Sequence, residues 1–214
     1  MTLSDQLAAN TAKRRKAMVA EDFDAIDRGI AELVEANSGS AAPVPGDSAP
    51  GFTLPDAAAV QRSLSDYLSS GPVVLAFYRG GWCSYCNIQL RAFQQVLPRI
   101  RAMNAELVAV SPELPDQSWT LAQKLALEHP VLSDWGNATA HAYGLEFTVP
   151  EWLRPLYTRL GIDLVARNGE ATWHLPVPGT FVIREDATIT AAFVDPDYRN
   201  RTEPGDVLSA LSQL

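Results

Sequence analysis

The chain has 214 residues, enough for one domain with an appendage, and its 17 Lys and Arg against 25 Asp and Glu leave a net charge of −8. That balance argues against a nucleic-acid partner, which would require a basic face, and no apolar run approaches the roughly 20 residues of a membrane span. A fold of this size buries enough apolar surface to stand without disulfide staples, and the expectation is a soluble, cytoplasmic protein.

The first 38 or so residues read as helical. Thr2 and Asp5 have the spacing of a capping box. Phe23, Ile26, Ile30 and Leu33 recur at intervals of three and four, which gives that helix one apolar face, either packed on its own domain or available for a homodimer contact. The basic run Lys13-Arg14-Arg15-Lys16 is followed by Glu21-Asp22-Phe23-Asp24 and not by an apolar stretch, so it reads as a solvated helix face and not as a targeting signal. Residues 37–50 are rich in Ser, Gly, Ala and Pro, a linker composition. The division expected is a helical extension over 1–44 and a main domain over 45–214.

Beyond the linker, Phe52–Leu54 is a short strand candidate, and Ser63 to Asp66 starts a helix that Gly71 closes. Val73 to Tyr78 is apolar without alternation, as in a strand covered on both faces. Cys86, Leu90, Phe93, Leu97 and Ile100 then follow helical spacing, with Pro98 predicted to kink or shorten that helix. Leu107–Val110 and Val131–Leu132 are strands, and Ser118–Leu127, Asn137–Tyr143 and 150–161 are helices. The segments 180–183 and 188–194 form a hairpin, and a last helix starts near Pro204. Strands alternating with helices before a late hairpin predict an α/β fold whose sheet is parallel with an antiparallel edge.

Both cysteines of the chain, Cys83 and Cys86, fall in the stretch FYRGGWCSYC. Two glycines permit a tight turn after the strand, and Cys83 then opens the helix. There, unpaired amides and the positive end of the helix dipole favour a thiolate. Cys86 sits three residues on, about 5 Å away by helix geometry, inside the range a disulfide spans. Cys83 is therefore the expected nucleophile and Cys86 the resolving thiol, which would attack a sulfenic acid or mixed disulfide on Cys83. Structural zinc needs four ligands, and His129, His141 and His174 lack the spacing of a zinc site, so neither metal nor cofactor is expected. Leu175 to Thr180 carries two prolines, and a cis peptide at Val177–Pro178 is the sharper reading of that segment.

FYRGGWCSYC resembles the active-site segment of thioredoxin-fold proteins, and Val177-Pro178-Gly179-Thr180-Phe181 resembles their cis-proline loop. Residues 48–56, 108–112 and 130–134, with Ala142-Tyr143-Gly144, are similar to peroxiredoxins of the alkyl hydroperoxide reductase/thiol-specific antioxidant (AhpC/TSA) type. The resemblance covers residues 45–214 and implies a thioredoxin-like fold, a central mixed sheet flanked by helices. It implies a thiol peroxidase in which Cys83 attacks hydrogen peroxide or an organic hydroperoxide and Cys86 closes the disulfide. A thioredoxin-like or glutathione-type reductant would reopen it. Trp82 and Tyr85 would shape the approach, Arg79 (or Arg154) would be the active-site arginine, and Val177 beside Pro178 would position a thiol substrate. One departure stands out. Peroxiredoxins carry Thr or Ser three residues before the attacking cysteine, and here that residue is Gly80, with Thr180 as a substitute hydroxyl. The alternatives are a thiol–disulfide oxidoreductase and a non-catalytic redox-sensing module.

Overall fold

A computed structural model describes all 214 residues, Met1–Leu214. Two helices, α1 (Leu3–Ala17) and α2 (Ala20–Glu35), come first. A ribbon of β1 (Thr53–Pro55) and β2 (Gln61–Ser63) leads to α3 (Leu64–Leu68), and then β3 (Val73–Phe77), α4 (Ser84–Ala102), β4 (Glu106–Ser111), α5 (Pro115–Leu125) and β5 (Val131–Ser133) alternate. The chain continues through α6 (Ala138–Ala142), β6 (Glu146–Thr148), α7 (Arg154–Arg159), α8 (Leu164–Asn168) and β7 (His174–Pro176). It ends with β8 (Gly179–Ile183), β9 (Ile189–Val194) and α9 (Pro204–Leu211).

The main sheet has the order β5-β4-β3-β8-β9; β3, β4 and β5 run parallel, and β8 and β9 are antiparallel. Strand β3 is buried on both faces because successive side chains serve different cores. Val74 and Ala76 meet Phe93, Leu97 and Ile100 of α4 and Val207, Leu208 and Leu211 of α9. Leu75 and Phe77 meet Tyr143, Leu145, Phe181 and the β1 side of the molecule. The predicted mixed α/β sheet is therefore present, with helices on its faces.

Several expectations need correction. Pro98 does not end α4, which runs on to Ala102. The ring points to solvent while Phe93, Leu97 and Ile100 are sealed against the sheet, so packing outweighs the lost backbone bond. Residues 37–50 are not a loose linker: Gly46 and Ala49 donate backbone hydrogen bonds to Ile189 and Ala187, and Ile189 donates to Asp47. At Gly144 (φ 63°), a Cβ would land 2.5 Å from the Ala41 backbone, so glycine is required for this segment to lie flat against the domain. The pair β6–β7 and the helix α8 had no periodic signal, and the helix predicted over 150–161 is a short 3-10 turn, Glu151–Leu153, followed by α7.

The apolar face of α2 packs on its own chain. Phe23 and Ile30 are buried, and a Cβ at Gly29 would meet Leu153 at 2.8 Å. Much of that face is thus used within the chain. Helix α1 lies on α4 and buries Leu3 and Leu7 there. Its N-terminus has the Thr2–Asp5 capping box, and the Glu203 carboxylate also accepts from the Leu3 and Ser4 amides at 3.0 and 2.7 Å. Two substitutions separate packing from propensity in α4. Leu97→Ala should cost about 2–5 kcal/mol, whereas Pro98→Ala should raise stability by about 1–3 kcal/mol, both read from urea denaturation midpoints.

Candidate active site

Strand β3 ends in the turn that carries the cysteines. Tyr78 still donates its amide to Val110 at 2.9 Å. Gly80 then takes φ 139°, and a Cβ there would run into the indole nitrogen of Trp82. The turn closes as the Cys83 amide donates to the Gly80 carbonyl at 3.1 Å. Two side chains clamp it: Glu113 Oε2 accepts from the Gly81 amide at 2.6 Å, and Asn87 Nδ2 donates to the Gly81 carbonyl at 2.9 Å. Glu113 is fully buried, and Arg167 reaches its other oxygen at 3.3 Å. Burial raises its pKa, with the Gly81 amide and Arg167 offsetting part of the rise.

Cys83 is the N-cap residue of α4, as predicted, with φ −85° and ψ 109°. It is only 4% exposed, and Cys86 is fully buried. Both are free thiols, near enough for each to shift the ionisation of the other. Burial alone would push both thiols up. At Cys83 it is outweighed by the Cys86 thiol and by the guanidiniums of Arg79 and Arg201, so Cys83 lies well below an ordinary thiol. Cys86 moves the other way, raised by burial and then by the Cys83 sulfur and its charge.

Arg79 is the cation beside this pair. It is 2% exposed and forms no salt bridge with a carboxylate. Its guanidinium lies 3.8 Å from the Tyr198 ring centroid and 4.8 Å from that of Trp82, and it donates to the Tyr157 hydroxyl. Burial opposes its charge, but the neighbouring phenols and thiols more than restore it, so its pKa is raised. Arg154 instead donates to the Val149 carbonyl and stacks on Trp173. Tyr85 is buried, shares a hydrogen bond with Thr11 of α1 at 3.1 Å, and meets Tyr198 edge to face.

A cleft of about 40 Å³ opens onto Cys83 and is walled by Arg79, Trp82, Tyr85, Tyr157 and Tyr198, with Ile26 and Arg14 from the N-terminal helices. The basic run around Arg14 is therefore not wholly a solvated face. Two donors here are buried without partners, Arg79 Nε and Trp82 Nε1. Sequence reasoning missed Tyr157, Tyr198, Glu113, Arg14 and Arg201. Tyr157 lies on the helix predicted over 150–161, where nothing in the spacing marks it as a site residue, and Tyr198 and Arg201 sit in the irregular segment 195–203, which has no period to read.

The loop at Pro178 does not join this cleft. All peptide bonds are trans, Val177–Pro178 included. The Val177 side chain is in the core, and its amide is taken by the Leu145 carbonyl at 2.7 Å, so that amide is not free for a thiol substrate. Pro178 and Thr180 line a separate cavity of about 260 Å³ with Gln89 and Arg201. Thr180 therefore does not supply the missing hydroxyl.

The model of the AhpC/TSA family matches residues 45–192. The chain belongs to the AhpC/TSA family. A Mycobacterium tuberculosis protein named as a peroxiredoxin is 34% identical over 100 residues, 47% of this chain and 63% of that one, so the chain spans less than two thirds of that relative. The thiol–disulfide oxidoreductase ResA of Geobacillus kaustophilus is 30% identical over 126 residues, 58% of this chain and 65% of ResA. Among solved structures, the peroxidoxin BcpB of M. tuberculosis superposes with a TM-score of 0.63 at 23% identity, over 80% of this chain and 97% of that one. The fold of this AhpC/TSA chain is thus thioredoxin-like. No helix is long and apolar enough to cross a membrane.

The opposed shifts of the two thiols give a direct expectation. At pH 6 an ordinary thiol of pKa about 8.5 is about 0.3% ionised. Cys83, held below that value, stays reactive as pH falls until its own lower midpoint is passed. Iodoacetamide at pH 6 should label Cys83 and leave Cys86 untouched, as read by peptide mass mapping; equal labelling, or none, would contradict the assignment.

Proposed function

We propose that the chain is a thiol peroxidase that reduces hydrogen peroxide or a small organic hydroperoxide, with Cys83 as the attacking and Cys86 as the resolving sulfur. The observation that carries this reading is the pair of unpartnered donors, Arg79 Nε and Trp82 Nε1, beside a depressed thiol in a cleft of about 40 Å³. A buried N–H without an acceptor is costly, and a peroxide oxygen would satisfy it. A water needs about 10–15 Å³ of such space, so the cleft suits two or three waters, or one –O–OH head.

The steps follow from the site. The Cys83 thiolate attacks the hydroxyl oxygen of the peroxide; an S–O bond forms, the O–O bond breaks, the peroxide proton stays on the sulfenic acid, and the leaving alkoxide or hydroxide takes a proton from solvent water. Arg79 and Trp82 stabilise the charge on that leaving oxygen. Trp82 would stand in for the hydroxyl side chain of the family, because its indole N–H occupies the space that a side chain at position 80 would fill. Cys86 then attacks the Cys83 sulfur, expels hydroxide and closes the disulfide. An external thiol, of thioredoxin or glutathione type, restores the pair. We read the setting as cytoplasmic, where such reductants are maintained. Tyr85 and Tyr157 act here as walls that hold Arg79 and the turn.

A second reading, a thiol–disulfide oxidoreductase, is supported by the Cys-x-x-Cys spacing and by the similarity to ResA. The two readings differ in substrate. Peroxide consumption with a thiol reductant should be abolished by Cys83→Ser, and negligible insulin reduction should accompany it. Activity toward insulin alone would favour the second reading.

Trp82→Phe keeps the ring and removes the N–H. It should slow oxidation of Cys83 by about 10–100-fold, the worth of a hydrogen bond to a developing charge. Stopped-flow measurement of peroxide-dependent oxidation checks this, and an unchanged rate would remove Trp82 from the scheme.

A further inference from the structure

Arg201 lies beyond the family match, which ends at residue 192, in the irregular segment that precedes α9. Its guanidinium, though half-buried, has three partners. Nε donates to the Tyr198 carbonyl at 2.7 Å, Nη1 to Gln89 Oε1 at 2.8 Å, and Nη2 to Cys86 Sγ at 3.5 Å. Gln89 and Cys86 are three residues apart on α4, so the planar fork bridges one helical turn. Arg201 also lines the cavity of about 260 Å³ that holds Pro178.

We propose that Arg201 is a positioning residue for the resolving step: it holds the Cys86 sulfur and stabilises its thiolate while that thiolate attacks the oxidised Cys83. This rests on the peroxidase reading above.

The need for such a group follows from the burial of Cys86. Cys86 belongs to a core cluster to which α1 contributes Leu3 and Leu7, α5 Leu121 and Leu125, and β4 Ala109, all apolar. The charged or titratable groups that face it are Cys83 on its own helix, Arg79 and Tyr78 at the end of β3, and Arg201. In the reduced state, burial and then the Cys83 thiolate keep Cys86 protonated. Once Cys83 is a sulfenic acid it carries no charge, and that repulsion is gone. Arg201 remains in direct contact, with its donor already aimed at the sulfur.

The step balances without another reagent. Cys86 gives up its proton, its sulfur forms the S–S bond, the S–O bond of the sulfenic acid breaks, and the departing hydroxide with that proton makes water. Cys83 is reduced from the sulfenic level and Cys86 is oxidised to the same disulfide level. Without Arg201, a buried neutral thiol would have to ionise among leucines. The sulfenic acid would persist and become open to a second peroxide.

Stopped-flow tryptophan fluorescence with intact mass tests this on the full chain carrying Arg201→Met or Arg201→Lys. Wild type should show two phases, sulfenic acid formation and then loss of water to the disulfide. In Arg201→Met the first phase should slow less than the second, since Arg79 favours the Cys83 thiolate more than Arg201 does, whereas Arg201 is the donor in contact with Cys86. The second should slow about 10–100-fold, its pH midpoint should rise, and excess peroxide should add two oxygens to Cys83. Arg201→Lys keeps the charge and should recover part of the rate. A second phase with wild-type rate and pH midpoint in Arg201→Met would overturn the inference. So would equal slowing of both phases in Met and Lys variants alike, which would mean a structural role. No first phase in the wild type would overturn the peroxidase reading and this inference with it.

Discussion

A buried guanidinium without a carboxylate is the constraint on which this site depends. Arg79 is 2% exposed and forms no salt bridge. Removing an isolated charge from water costs several kcal/mol even after relaxation, and the aromatic faces of Tyr198 and Trp82 with the Tyr157 hydroxyl offset only part of that. The other groups that favour its charge are the two cysteine sulfurs, Cys83 ahead of Cys86. A thiolate at Cys83 offsets the charge of Arg79, and Arg79, together with the Cys86 thiol and Arg201, favours that thiolate at a position where burial alone would protonate it. Each charge makes the other tolerable. The helix N-terminus adds to this but would not be sufficient in a pocket so closed.

Much of the shell around that pair comes from outside the family segment. Helix α1 supplies Arg14 and the Thr11–Tyr85 contact, α2 supplies Ile26, and residues 195–203 supply Tyr198 and Arg201. Glu203 ties the two ends together by accepting from the first amides of α1. The additions at the N- and C-terminal ends therefore form one layer over α4, and that layer encloses the thiols. The space that a side chain at position 80 would take is filled by the Trp82 indole, which packs against Tyr157 and Arg79.

The sheet and the helix bearing Cys83 were legible because their signals are local. Val73 to Phe77 is continuously apolar since both faces are covered, and two glycines followed by a cysteine at a helix start have few other uses. Other features were not legible, for identifiable reasons. Pro98 reads as a breaker until Leu97 and Ile100 are seen clamped on the sheet. Residues 37–50 read as a linker because backbone pairing to a distant hairpin leaves no side-chain pattern. Pro178 looked like part of the site by resemblance, yet its neighbour Val177 is committed to the core. Arg201 and Tyr198 could not be singled out, since contacts across more than 110 positions have no signature in a single sequence.

The mutual dependence of Arg79 and Cys83 is best tested by titrating the thiolate through its ultraviolet absorbance. A Cys86→Ser background leaves one thiol, with and without Arg79→Met, and circular dichroism confirms that both variants are folded. The account predicts a Cys83 midpoint clearly below the ordinary thiol value of about 8.5 with Arg79 present, rising to or above it when Arg79 is replaced. An ordinary midpoint with Arg79 in place, or one that does not move when it is removed, would contradict it.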